Sequence, residues 1–190
     1  RSGSLQPPDM ARPRSEHGRS KYQPNITALF MADPRLPEQV ALNLAVVAFY
    51  YPGKNEPCDE LCQCNFLGNF WEDGESIVVN GVKFRVAEAA FQAMKFWPHA
   101  EEFGKVDGGG AFALKRELER GFVDRSYSGR GSNWVAMLEV LRAKFRPGGR
   151  LAQALIATGD AFLLEHNSVQ GRDKIWSNNH VGDGKNWLGM

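Results

Sequence analysis

Cysteine is scarce in this chain, and what there is lies bunched. Cys58, Cys62 and Cys64 are the only three, all in one short stretch of 190 residues. An odd, clustered set is not the disulfide framework of a secreted domain. It is also one ligand short of an ordinary structural zinc site, and His99, His166 and His180 stand at no spacing that supplies a fourth. Reduced loop thiols are the plain reading. With no signal-peptide pattern at the start, they favour an intracellular protein, cytoplasmic or nuclear. Long apolar runs are missing as well: nothing approaches the ~18 residues of a membrane span, so no membrane partner is expected. Net charge is only +1, which removes a large electrostatic footprint on duplex nucleic acid but leaves room for a local basic pocket. No Ser or Cys nucleophile stands in a motif with His166, so no triad is visible, and Gly182-Asp183-Gly184-Lys185 lacks the spacing of a phosphate-binding P-loop.

Apolar residues are plentiful. They make up 43% of the chain, with 5 Trp and 12 Phe, enough for the core of one ordinary domain and for gripping a flat base. Residues 1–38 are rich in Arg, Ser and Pro without periodicity and read as a disordered leader. The folded domain is expected over 39–190. Leu44 to Tyr51 suits a buried strand. Ile77-Val78-Val79-Asn80-Gly81-Val82-Lys83-Phe84 reads as two strands joined by an Asn-Gly turn. Gly108-Gly109-Gly110 reads as a break, with a helix from Ala111 to Arg120. Trp134, Met137, Leu138, Leu141 and Phe145 repeat at helical spacing behind Ser132 or Asn133 as cap. Leu151 to Ala157 forms a further helix, Phe162 to His166 a strand, and 173–190 a Gly- and Asn-rich loop. The sum is an α+β fold, mainly helical, with a small and mostly antiparallel sheet.

One stretch stands apart. Arg85-Val86-Ala87-Glu88-Ala89-Ala90-Phe91-Gln92-Ala93-Met94-Lys95 puts a carboxylate, an amide and an amine along one stripe of a helix. Ala87, Ala90, Phe91, Met94 and Trp97 fall on the adjoining face, so the stripe lies at the edge of a buried surface. A random Glu/Lys pair at this spacing is ordinarily a solvated face. At a pocket edge the same Glu is an acid, a base or a charge stabiliser, and the Lys becomes a nucleophile once desolvation frees its amine of a proton. Two readings also stand for the tail: a ligand loop, or a run of turns. Trp134 is either core or a platform for a ring. Arg125 and Arg130 either meet phosphates or stay solvated.

Taken together, these pieces resemble the NADAR, or YbiA-like, family. Phe66-Leu67-Gly68-Asn69-Phe70 looks like its F-x-x-N-F element, and Glu88 to Phe96 looks like its E-H-x-x-Q-A-x-K-F signature. Asn133-Trp134 fits its helix start. Leu141 to Phe145, Leu155 to Asp160 and Leu164-Glu165 fit the helices and strand that follow. Asp173, Trp176 and Gly184-Lys185-Asn186-Trp187-Leu188-Gly189 resemble its closing D-x-x-W and G-x-N-x-L-G elements. The likeness covers 65–190, about two-thirds of the chain. Two positions depart from the pattern. Ala89 replaces a common His, and Asn178 stands near where many members have Asp.

The resemblance implies an N-glycosidase that removes ADP-ribose from guanine in DNA, RNA or nucleotides. Alternatives are a glycosidase acting on riboflavin-biosynthesis intermediates, or a reader that binds ADP-ribose without cleaving it. It implies Glu88 as acid/base or charge stabiliser and Lys95 as a Schiff-base nucleophile toward the opened ribose. Asn69, Phe70, Gln92, Arg130, Trp134, Asp173, Trp176, Asn178, Lys185 and Asn186 are the implied substrate contacts. This scheme needs no metal and no cofactor.

Overall fold

The computed structural model describes residues 46–50 and 62–190, so the predicted leader and Cys58 lie outside the described residues. The elements are mostly helices, with two small sheets. Strand β1 (Val46–Phe49) pairs in parallel with β4 (Phe162–Glu165). Strands β2 (Ile77–Val79) and β3 (Val82–Phe84) form the predicted antiparallel hairpin. Its turn residues Asn80 and Gly81 have φ of 48° and 82°, the left-handed pair that a two-residue hairpin needs. Ile77, Val79 and Phe84 point inward from it.

Helix α1 (Ala87–Ala93) carries the Glu88 stripe and is buried on every side. Four of its seven residues are alanine, which lets other elements approach closely. Helices α2 (Ala100–Gly104), α3 (Gly108–Leu118) and α4 (Asn133–Lys144) all pack against it, and α5 (Arg150–Ile156) follows. The expected polar edge is therefore interior: Glu88 is 6% exposed and Gln92 4%.

One expectation is corrected. Gly108-Gly109-Gly110 is not a break but the first turn of α3, capped by Asp107, whose Oδ1 accepts the Gly110 amide at 2.7 Å. Packing is the reason for the first glycine: a Cβ on Gly108 would lie 1.9 Å from Cδ1 of Phe70. Ser132 caps α4 as expected, its hydroxyl accepting the Val135 amide at 3.2 Å. Cys62 and Cys64 are both buried, and burial pushes the Cys64 thiol up to about 12. Among the described residues no helix is long and apolar enough to cross a membrane.

Candidate active site

A cavity of about 600 Å³ opens against α1. Glu88, Phe91, Gln92 and Lys95 form one wall, and Gly109, Phe112, Lys115 and Arg116 of α3 face it. Asn69 and Phe70 come from the turn before β2, Asn133 and Met137 from α4, and Tyr50 from the end of β1. Glu165 and Asn167, at and beyond the end of β4, and Arg172, Asp173, Trp176 and Ser177 of the closing loop complete it. The size suits a nucleotide-scale ligand.

Lys95 lies just beyond the end of α1, and Gln92 links it to Glu88. The Gln92 Nε2 donates to Glu88 Oε1 at 2.5 Å, and Lys95 Nζ donates to Gln92 Oε1 at 2.7 Å. The helix start is tied to the turn carrying Asn69, because the Glu88 amide donates to the Asn69 carbonyl at 2.9 Å. Burial pushes the Glu88 carboxyl above its usual range, against the pull of Gln92, Lys95 and Lys115. Burial and the neighbouring Lys115 cation push the Lys95 amine down, and Glu88 does not reverse this. The contest between desolvation and a nearby carboxylate goes to desolvation. Burial thus shifts the carboxyl toward its protonated form and the amine toward its neutral form.

Aromatic rings back this wall. Tyr127 stacks on Phe91 with centroids 5.7 Å apart, and Trp176 meets Phe91 edge-on at 5.5 Å. Asp173 is fixed by its own loop, its Oδ1 accepting the Ile175 and Trp176 amides at 2.9 Å each. A second acid faces the cavity. Burial, with Asp173 and Glu88 nearby, raises Glu165 to about 8.

Of the residues expected in the site, the structure gathers Glu88, Lys95, Asn69, Phe70, Gln92, Asp173 and Trp176 around this one cavity. The others lie outside its wall. Arg130 forms a two-pronged pair with Glu139 at 2.9 and 2.7 Å. Trp134 packs edge-on against Trp187, which packs edge-on against Trp176, so it stands two rings behind the wall. Asn178 accepts the Asn167 amide at 3.1 Å, and its amide nitrogen lies 3.0 Å from His166 Nδ1. Lys185 is exposed over Trp187. Asn186 is buried against β4, accepting the Glu165 amide at 2.9 Å and donating to the Leu163 carbonyl at 2.8 Å.

Sequence reasoning passed over Tyr50, Phe112, Lys115, Arg116, Tyr127, Asn133, Met137, Glu165, Asn167, Arg172 and Ser177 as cavity residues. Asn133 and Glu165 sit inside quoted motifs, beside Trp134 and Leu164, and that adjacency was the available signal. The rest belong to no motif.

No family model matches the chain. It is 35% identical over 120 residues to the N-glycosidase YbiA of Escherichia coli strain K12, covering 60% of this chain and 69% of YbiA. The chain belongs to the YbiA-like family. Its fold agrees with the NMR structure of E. coli YbiA at a TM-score of 0.59 and 24% identity, over 83% of this chain and 86% of that one. The mainly helical α+β architecture is that of this YbiA-like member. The chain is also 32% identical over 146 residues to the riboflavin biosynthesis protein VVA0006 of Vibrio vulnificus strain YJ016. That match takes in 75% of this chain but 35% of the Vibrio protein, so the chain spans about a third of that relative's length.

Proposed function

We propose that the protein hydrolyses the bond between ADP-ribose and the guanine amino group, reversing ADP-ribosylation of guanine. The observation that carries this reading is the Glu88–Gln92–Lys95 relay in the wall of a nucleotide-sized cavity. A binding module needs neither a protonated carboxyl nor a dried amine, and this relay supports both.

The chemistry follows from those two groups. Glu88 gives its proton to the ribose ring oxygen as the ring opens, leaving an iminium at the anomeric carbon. The neutral Lys95 amine attacks that carbon, and the Glu88 carboxylate takes back a proton from the lysine nitrogen. Expulsion of the base, as its nitrogen takes up a proton, leaves a protonated Schiff base on Lys95. Water then releases the aldehyde, which closes to ADP-ribose. Gln92 orients both partners, and Asp173 offers a fixed acceptor for sugar hydroxyls. Lys115, Arg116 and Arg172 are the cavity cations within reach of a pyrophosphate. Trp176, Phe112 and Phe70 offer faces for a base, each worth on the order of 1–3 kcal/mol when stacked. The near-neutral net charge supports a nucleotide, or a terminal or single-stranded guanine, over a duplex.

The test is release of ADP-ribose from an oligonucleotide and from a nucleotide carrying it on guanine. Glu88→Gln is expected to lower release by roughly 10²–10⁴-fold with ADP-ribose binding retained. Borohydride during turnover should trap the sugar on Lys95, read by peptide mass. A wild-type protein that releases nothing refutes the reading. A second substrate class, riboflavin-biosynthesis intermediates, is supported by the Vibrio relative's name and by a shared feature: nitrogen on an anomeric carbon. Running both substrates side by side decides between them.

A further inference from the structure

Glu165 is in the cavity wall but has no place in the scheme above. Its backbone is held from both sides. The amide donates to Asn186, and its carbonyl accepts the Asn178 amide at 2.9 Å. In the sheet its partner is Phe49. The side chain, by contrast, is left open: Oε2 is shielded from solvent and has no hydrogen-bond partner. Elsewhere in the cavity lining, the Asn69 Oδ1 is shielded and unpartnered as well.

The surroundings of Glu165 decide its form. Glu88 faces it from α1, Asp173 from the closing loop, and Lys144 from α4. Tyr50 lies nearby at the end of β1, and Lys95, Lys115, Arg116 and Arg172 share the cavity. No cation forms an ion pair with Glu165 among the described residues. Two carboxyl neighbours and a dry setting favour the neutral acid, which has one O–H to give. A carboxyl fixed on a strand, in the wall of a ligand cavity and with one oxygen that nothing in the protein partners, is placed to give its O–H to the ligand.

We propose that Glu165 is the acid that protonates the departing base nitrogen, a second proton carrier working beside Glu88. This rests on the hydrolase reading above. In the adduct of Lys95 with the opened ribose, the Glu165 O–H bond breaks and its proton goes to the base nitrogen. The pair of electrons in the bond from carbon to that nitrogen leaves with the base, which departs as a neutral amine. The lysine lone pair forms the Schiff base. When water hydrolyses that Schiff base, the proton released returns to the Glu165 carboxylate. Each acid therefore ends the cycle as it began.

The experiment uses the full chain and two substrates with different leaving groups. Guanine bearing ADP-ribose on its amino group leaves only with a proton. ADP-ribose carried on the amino group of a nitroaniline has the same nitrogen lone pair to open the ring, but its base departs with far less need of a proton. Glu165→Gln keeps the shape and a donor but cannot release a proton. The expected result is a kcat loss of roughly 10²–10⁴-fold on the guanine substrate and loss of the alkaline limb of its pH profile. The nitroaniline substrate should lose less than about tenfold, since its leaving group makes a much smaller demand on an acid. Equal losses on both substrates mean a structural or binding role and overturn the proposal, as does no loss on either. A readout apart from turnover is the ¹³C carboxyl resonance of Glu165 in glutamate-labelled protein, assigned by its absence in the Gln variant. Titration above neutral pH, with a shift on adding ADP-ribose, supports the donor, and titration in the ordinary carboxylate range overturns it. If the wild type releases base and only the Glu165 results fail, the hydrolase reading stands. If the wild type releases no base at all, both fall.

Discussion

Lys144 makes the sharpest demand on the protein's pH dependence. Its amine is fully enclosed at the end of α4 and donates to the carbonyls of Leu67 and Gly68 at 3.2 and 2.7 Å. These bonds hold the turn that presents Asn69 and Phe70. Burial lowers this lysine from 10.5 to about 7, although Asp73 and Glu165 favour its charged form. The sign follows from proton counting. Between these two values the unfolded chain binds the proton and the native protein does not, so unfolding free energy rises with pH through that window. The full span corresponds to about 5 kcal/mol at 1.36 kcal/mol per unit, an upper bound. Glu165 acts in the opposite direction: it is raised to about 8, so it lowers stability as pH rises from the ordinary carboxylate range to that value. Urea unfolding across pH 5–10 should therefore give a curve that falls, passes a minimum near neutrality to slightly alkaline pH and rises again. Lys144→Met should flatten the rising limb to what Lys95 contributes, and Glu165→Gln the falling limb to what Glu88 contributes. A Lys144→Met protein that keeps the full alkaline rise would refute the assignment, because the proton would then belong to another group.

Other perturbations bear on the site directly. Gly108→Ala drives a methyl into the Phe70 ring and breaks its stack on Phe112, now 5.6 Å between centroids. It should cost about 1–3 kcal/mol and weaken ADP-ribose binding, read by thermal melting and calorimetry. Gln92→Leu cuts the relay between Glu88 and Lys95, so kcat should fall at least tenfold, on the order of the general acid–base contribution, with little change in the Kd for ADP-ribose. Asn186→Ala removes two hydrogen bonds to β4 and should destabilise by about 2 kcal/mol in urea unfolding. Trp134→Leu leaves the cavity wall intact but unsupported, and is expected to lower Tm more than it raises KM.

Much of the fold could be read from the chain because local chemistry dictates it. Asn80-Gly81 between alternating apolar residues admits one turn, and Ser132 before a helical repeat admits one cap. The parallel pairing of β1 with β4 was not legible, since it joins Val46 to Phe162 across most of the domain and leaves no local trace. Burial of Glu88 was underestimated for a similar reason. A seven-residue pattern shows which side is apolar but not how many helices will surround it. Lys144 reads as an ordinary cation in a last helical turn, favoured there by the helix dipole. Its burial appears only when the Leu67–Gly68 turn folds onto it. Arg130 carries the right chemistry for a phosphate, but loop closure brings Glu139 within reach first, and a bidentate carboxylate satisfies a guanidinium well.

The closing G-x-N-x-L-G element shows how a motif can matter without touching a ligand. A Cβ on Gly184 would lie 2.1 Å from the Ser177 carbonyl oxygen, and one on Gly189 would lie 2.1 Å from that of Leu163. Both glycines are needed so that the loop can lie flush against the segment carrying Trp176 and against β4. Asn186, at a left-handed φ of 53°, then uses its amide as a strand edge, bonding Leu163 and Glu165 at once. Trp187 fills the space behind Trp176. The element therefore grips the two pieces of chain that bring Glu165, Asp173 and Trp176 to the cavity. Substitution in it should act through those residues: a change in Tm together with kcat, and a pH profile altered on the alkaline side where Glu165 titrates. A change confined to KM would instead return Lys185 and Asn186 to the role of direct substrate contacts.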